Sequence, residues 1–412
     1  MRSNYKALGK YIQPIDIRNT ELKVETLLGV SIRKVLMPSI ANIVGTDMRT
    51  YKIIKKNQFA YGPVTSRNGD KISVALLEDH EEAMVSQAYV VFEVIDNSEL
   101  LPEYLMMWFR RSEFDRYARF KSHGSAREIF GWEEMCETEI PIPSIGKQYE
   151  IIAEYNTIQN RIKLNEQLNK KLEETAQAIY REWFVEFEFP DENGKPYKSN
   201  GGEMVWNEKL QKEIPKGWRM RKLEELTRQI CVAFVGSVFE DYCEREQGVP
   251  MLRTTNLTEN GLSFDDLKYV SRKFHQKNKK SQLNNGDLLV ARHGSNGMPV
   301  IFDENFEANA LNVIIIKPNI GLIGSKLIYC FLTSSYAREY VLGSVGGSVQ
   351  EVLNTKKISE LQIAFPNDLM LVKKVSKIVE TVIGSKSPYR KQLLSLFKLK
   401  DLLLSKLATV EN

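Results

Sequence analysis

The chain has 412 residues, 42% of them hydrophobic and 27% charged, and a formal net charge of +4. That length leaves room for two or three domains, and the mild positive charge permits nucleic-acid binding without demanding it. No run of eighteen apolar residues predicts a membrane span, and scattered cysteines and histidines without a CxxC pair argue against a zinc site and for reduced thiols in a cytoplasm.

In chain order, the first residues, MRSNYKALGKY, lack the apolar core of a signal peptide. Residues Met1 to Ile142 read as a mixed region, with a β-rich run YVVFEVI (Tyr89 to Ile95) and a turn RNGDK (Arg67 to Lys71). The region closes on KSHGSAREIFGWEEMCETEIPIP, Lys121 to Pro143. Next, Ile151, Tyr155, Ile158, Ile162, Asn165, Asn169, Leu172, Ala176, Ile179 and Trp183 are spaced alternately four and three apart. That is the a/d seam of a long helix with a polar middle. The helix ends in YREWFVEF, and a polar link from Glu188 to Trp218 follows, with four glycines and three prolines.

The pattern then restarts. IPKGWRMRKLEEL resumes what YKALGKYIQPIDIRN began. Turns TENGL (Thr258 to Leu262) and NNGD (Asn284 to Asp287) punctuate the runs GDLLVAR (Gly286 to Arg292) and NVIIIKP (Asn312 to Pro318). SVGGSVQEVLNTKKISELQIAFP, Ser344 to Pro366, lies 223 positions after the stretch ending at Pro143. Gly347-Ser348 then matches Gly124-Ser125, Glu351 matches Glu128, and Phe365 matches Ile142. A second seam runs through Leu371, Val375, Ile378, Val382, Ser385, Tyr389, Gln392, Leu396, Leu399 and Leu403, its first residue 220 positions after Ile151. Within it, GSKSP (Gly384 to Pro388) predicts a kink, or a new helix with Ser387 as cap and Pro388 at its first position.

The fold class read from this is α+β: two mixed α/β domains in pseudo-twofold repeat, separated by two long helices that pair as an antiparallel coiled coil. Antiparallel pairing aligns the two polar middles, and Ile151 to Trp183 spans roughly 48 Å at ~1.5 Å per residue. The expected boundaries are a domain over 1–146, a helix over 147–187, a link over 188–213, a second domain over 214–367 and a second helix over 368–412.

The sequence holds no GxxxxGK[ST] phosphate loop, no NPPY-type tetrapeptide and no glycine-rich cofactor loop. PDENGK (Pro190 to Lys195) crowds its carboxylates and lysine into a loop, a poor start for a nuclease. The order of features resembles the DNA-specificity (S) subunit of type I restriction–modification systems. The likeness rests on LGKYIQPIDIRN, on YKIIKKNQFAYGPVTSRNGDKISVAL (Tyr51 to Leu76), on VSQAYVVFEV (Val85 to Val94) and on AIYREWFVEFEFP. It continues through GKPYKSNGGEMVWNEKLQKEIPKGW, RTTNL (Arg253 to Leu257) and GDLLVARHGSNG (Gly286 to Gly297). The resemblance implies two target-recognition domains, each reading half of a split site in double-stranded DNA. It implies a non-catalytic, cytoplasmic subunit that docks two methyltransferase subunits and, where present, a restriction subunit, with S-adenosylmethionine on the methyltransferases and no cofactor or metal here. The alternatives are the recognition module of a self-contained restriction enzyme and a coiled-coil scaffold with no DNA role.

On that reading, DNA contacts are expected from polar, turn-forming clusters, since cations meet phosphate while Arg suits guanine and Asn or Gln suits adenine. In the first half these are Thr65, Ser66, Arg67 and Asn68, then His123, Ser125 and Arg127 beside Ser122. In the second half they are Arg253, Thr254 and Asn256, then Arg292, His293, Ser295 and Asn296, then Ser348 and Gln350. Each of these residue types also serves as a solvated loop or turn former. The run RKFHQKNKK (Arg272 to Lys280) reads mainly as a solvated charge run, and Trp183, Phe184 and Phe187 as packing residues. Leu164 and Leu168, off the seam, are the expected contacts for a docked subunit.

Overall fold

The structure, a computed structural model, describes residues 5–40, 45–66, 69, 71–124, 128–208, 211–258, 261–292, 297–342 and 353–410. It divides into two compact units, Met1–Leu164 with Leu393–Asn412, and Asn165–Gln392.

In the first unit, the strands Ile12–Ile15, Val90–Val94, Phe59–Gly62 and Ser73–Leu76 pair in that order into an antiparallel sheet. A second sheet orders Leu36–Pro38, Leu27–Val30, Glu82–Val85 and Lys52–Lys55, with one parallel pairing between the middle strands. Strand Tyr5–Ala7 pairs with Glu139–Pro141, tying the start of the region to its end. Between them the chain turns past Gly9, where a Cβ would fall 2.7 Å from that of Cys136, so only glycine permits the approach. Three helices follow the sheets: α1 (Pro102–Phe109), α2 (Ser112–Lys121) and α3 (Trp132–Glu137). α1 opens with Pro102 in its first turn, where a missing N–H costs nothing. α2 buries Phe114 and Ala118, one turn apart. The core is aromatic: Phe59 stacks on Phe92 with centroids 4.8 Å apart, and Phe109 meets both edge-on.

α4 (Ile145–Phe184) is the long helix of the first seam, 40 residues without interruption. Of its seam positions Ile151, Tyr155, Ile162, Asn165, Ala176 and Trp183 are buried and the other four half-buried, while Gln148, Tyr180 and Phe184, off the seam, are buried as well. In the first unit, Ile151 and Tyr155 share a core with Leu404 and Leu407.

The second unit repeats the first. Thr227–Val232, Val313–Pro318, Asp287–Ala291 and Pro299–Phe302 form an antiparallel sheet of the same order. Lys268–Ser271, Gly248–Arg253, Ala308–Leu311 and Gln282–Leu283 form the counterpart of the second sheet, again with a parallel middle pairing. Trp218–Lys222 pairs with Gln362–Pro366, as the first strand of the other unit does. The helices are α5 (Arg272–Lys277), then α6 (Ser325–Leu332), α7 (Ser335–Leu342) and α8 (Thr355–Ser359). α6, α7 and α8 each start 223 positions after α1, α2 and α3. The offset read from one loop therefore holds across three helices, and the α+β class with two repeated domains and a long helix pair is what the chain adopts.

The last helices are α9 (Leu369–Gly384) and α10 (Lys386–Lys406). The break falls at Ser385, two residues before the expected cap, and Pro388 sits in the first turn of α10, where no N–H partner is needed. Within the second unit α4 and α9–α10 run antiparallel: Asn165 Nδ2 donates to Gln392 Oε1 at 2.9 Å, and eight residues along α4, Glu173 pairs with Lys386. The two polar middles meet, as antiparallel pairing requires.

Two expectations need correction. The second seam is displaced: Val372, Val375, Val379 and Ile383 are buried, while Ile378, Ser385 and Leu399 face outward. α9 is apolar over a wide arc and packs against α6 as well as α4, so more than one stripe fitted the spacing. The polar link is also folded. Phe187 ends the helix at φ +63°, Phe189 stacks between Tyr197 and Trp218, and Met204–Asn207 pairs with Lys212–Pro215. Trp183, Phe184 and Phe187 belong to this core region, as packing residues.

Candidate nucleic-acid interface

In the first unit, backbone bonds gather three segments. Ile129 N donates to His123 O at 2.8 Å and His123 N to Ile129 O at 3.0 Å, while Thr65 N donates to Glu128 O at 3.0 Å and Phe130 N to Pro63 O at 2.8 Å. The two polar clusters expected from sequence, 57 residues apart at Thr65 and Ser122, thus share one joint, with Thr65 Oγ1 2.9 Å from Ser122 Oγ. Thr65 itself faces inward, and its hydroxyl holds the joint. Ser66 and His123 are exposed beside it, and Arg119 of α2 pairs with Glu128. Arg67, Asn68, Ser125 and Arg127 lie outside the described residues.

One carboxylate organises this edge from below. Asp115 on α2 takes Lys34 Nζ at 2.7 Å and the backbone N–H of Ile72 at 3.1 Å, just before the strand Ser73–Leu76. Lys34 also donates to the carbonyl of Phe109, and burial pushes its ammonium below the ordinary lysine range while Asp115 opposes the shift. Sequence reasoning missed both residues, because nothing in SIRK (Ser31 to Lys34) distinguishes a buried lysine from a surface one.

In the second unit, one bond of this joint recurs. Leu353 N donates to Arg292 O at 3.1 Å, where Phe130 N meets Pro63 O in the first unit. Arg292 Nη1 donates to Asn312 Oδ1 at 2.9 Å, and Asn312 occupies the left-handed region at φ +55°. The neighbouring candidates His293, Ser295 and Asn296, and Ser348 and Gln350, lie outside the described residues.

Arg253 ends the strand Gly248–Arg253, and its guanidinium donates to Asp266, through Nη2 to the carboxylate at 3.1 Å and to the backbone carbonyl. Asn256, 1% exposed, is a staple rather than an outward-facing group. It accepts from Arg253 N at 3.0 Å and donates to the carbonyls of Ser263 and Asp265. Thr254 lies half-buried in the turn between them. Hydrogen bonds from Lys268 first, then Arg253, hold the Asp266 carboxyl below the usual carboxylate range. The basic run is partly structural: Ser271 caps α5, Phe274 is buried, Arg272 pairs with Glu307, and His275 bonds Asn309. Lys273, Lys277, Lys279 and Lys280 remain exposed.

Other surfaces bear on partners. Leu164 is exposed and Leu168 half-buried on α4, while Leu394, Phe397, Leu399 and Leu402 are exposed on α10. Among the described residues, no cluster of three or more His, Cys, Asp and Glu is placed to hold a metal, and no helix is long and apolar enough to cross a membrane.

Comparison with known proteins matches this arrangement twice over. The family model of the type I restriction modification DNA specificity domain matches residues 43–174 and again 215–387. The chain is similar to the type I restriction enzyme MjaIX specificity subunit of Methanocaldococcus jannaschii, at 24% identity over 76% of this chain and 70% of that protein. It is similar to the HindI specificity subunit of Haemophilus influenzae, at 22% identity over 92% of this chain and 91% of that protein. Among solved structures, the S subunit of a type I restriction–modification system from M. genitalium shares the fold, with a TM-score of 0.58 at 15% identity over 99% and 96% of the two chains.

Proposed function

This chain belongs to the family of the type I restriction modification DNA specificity domain, and from that membership we propose that it reads a bipartite site in double-stranded DNA and carries no catalysis of its own. The region 1–146 takes one half-site and the region 214–367 the other. Methyl transfer is borrowed from two methyltransferase subunits, which hold S-adenosylmethionine, and a restriction subunit joins where the system has one. Adenine or cytosine methylation needs a flipped base in a cofactor pocket, and the sequence offers no motif for one.

The observation that carries this reading is the repeat itself. The same pair of sheets and the same three helices occur twice, and one backbone bond of the first unit's joint, Phe130 N to Pro63 O, has its counterpart in Leu353 N to Arg292 O. The side chains mounted on it differ, Pro63 in one and Arg292 in the other. A shared scaffold with unlike surfaces is what two readers of unlike half-sites require. The exposed apolar residues of α4 and α10 offer the docking faces, one set in each half of the repeat's helix pair, and exposed leucines and an aromatic suit a helix-packed partner.

The test is methyl transfer to duplex DNA by the chain alone, by the methyltransferase alone and by the two together, with native mass spectrometry of the mixture. The reading expects activity only in the mixture, and a complex of one chain with two methyltransferases. Methyl transfer by the purified chain, or a one-to-one complex that modifies both strands, contradicts it.

A further inference from the structure

The second unit contains a donor and an acceptor fixed side by side. Arg253 and Asp266 lie on two segments that Asn256 staples together, for it accepts from Arg253 N and donates to the carbonyl of Asp265, the residue before Asp266. The staple is buried, and a buried amide with its polar atoms committed holds its neighbours to one geometry. Asp266 adopts φ +49°, in the left-handed region that aspartate enters more readily than most residues with a side chain. Although Arg253 and Lys268 both grip its carboxylate, Asp266 stays 71% exposed, and each oxygen keeps a second lone pair. The bonds from Arg253 to Asp266 run through Nη2, and its Nε is buried without a hydrogen-bond partner among the described residues.

A guanidinium donor beside a carboxylate acceptor has a natural complement. In the major groove guanine presents two acceptors, O6 and N7, and its paired cytosine presents one donor, N4. A and T each break that match: adenine puts an amino donor where the guanidinium needs an acceptor, and thymine puts a carbonyl acceptor opposite the carboxylate. We infer that Arg253 and Asp266 form a two-residue reader of one G·C base pair, Arg253 addressing guanine and Asp266 the amino group of the cytosine. Lys268 steadies the carboxylate and Asn256 sets the spacing, both as positioning residues. In the first unit the strand Leu27–Val30 leads instead into the Ser31–Lys34 turn, whose lysine is buried, so this reader belongs to one half-site only.

The inference rests on the reading of the chain as a DNA-specificity subunit, and its test separates the two. The full chain, with its methyltransferase partner, is used to select bound molecules from a pool of randomised duplex DNA, and the enriched motifs are compared among variants. The wild-type motif should contain a G·C pair at which Asp266→Ala and Arg253→Lys relax the preference by roughly 5- to 150-fold, equivalent to ~1–3 kcal/mol. All other positions should stay unchanged. Asp266→Asn keeps an oxygen for Arg253 but turns an N–H toward the cytosine, so it should alter the same position, whereas a purely structural Asp266, losing its contact with Lys268, would lower stability or affinity and still return the wild-type motif. A wild-type motif that survives all three variants overturns the inference and leaves the DNA-reading function standing. An even loss across every position does the same, because it marks a phosphate contact. No enriched motif with the wild-type chain overturns both.

Discussion

The buried ion pair of Lys34 and Asp115 shows how a single residue supports a segment next to the proposed DNA contacts. Removing one member of such a pair leaves a charge in the interior, which costs about 3–5 kcal/mol. Asp115→Asn should therefore destabilise the first unit by that order in denaturant titrations, through the uncompensated Lys34 charge, while the amide oxygen can still accept the backbone N–H of Ile72. The effect has a pH signature. Burial already sets the Lys34 pKa below the 10.5 of an ordinary lysine, so between the two values the unfolded chain holds more protons and stability rises with pH. Without Asp115 that window widens downward, and the deficit of the variant should shrink as pH climbs toward 10.5. A deficit that is flat with pH would mean that Lys34 is not the group left stranded. Neither residue was visible in sequence, where a lysine in a turn and an aspartate on a helix look solvated. Arg292 and Arg253 were visible, as arginines in polar turns. Their anchors, Asn312 and Asp266, were not, because each anchor lies on a separate strand or turn brought near only by sheet pairing.

Among the elements, the long helix α4 was the most legible, since its a/d spacing coincides with its buried face. The polar pair Asn165 and Gln392 in its seam sets register at some expense in stability. Asn165→Leu alone should cost about 1–3 kcal/mol by leaving Gln392 without that partner. Combining it with Gln392→Leu should recover most of the loss, and equilibrium unfolding of the three proteins decides it; an additive second loss would show that the two amides do not act as a pair. The second seam was less legible because α9 carries apolar residues on several stripes, and tertiary packing buries the one through Val372, Val375 and Val379. The link was read as polar chain from its glycines and prolines, yet Phe187, Phe189 and Trp218 dock it on the end of α4. Phe187→Ala should cost about 3–5 kcal/mol, as core aromatic truncations do. A change within ~0.5 kcal/mol would return the link to the status of a tether.

For the whole molecule, a repeat offset of 223 positions carried the architecture, because helix starts and loop glycines are constrained by backbone geometry. The target does not follow from the same constraint, since on the proposed function bases are read by side chains, which the shared scaffold leaves free to differ. Two readers on one chain make a quantitative demand: exchanging residues 214–367 for the matching region of a relative should change one half of the recognised site and spare the other. If both proposed readers contact phosphates, the DNA affinity of the complex should fall steeply with salt, with a slope of about 0.9 per phosphate neutralised. The most direct test is genome-wide mapping of methylated bases in cells that express the methyltransferase partner with the wild-type chain, with the exchanged chain, or with none. The account predicts a two-part methylated motif that depends on the chain and changes in one part only on exchange; methylation that persists without the chain, or a motif in which both parts change together, would contradict it.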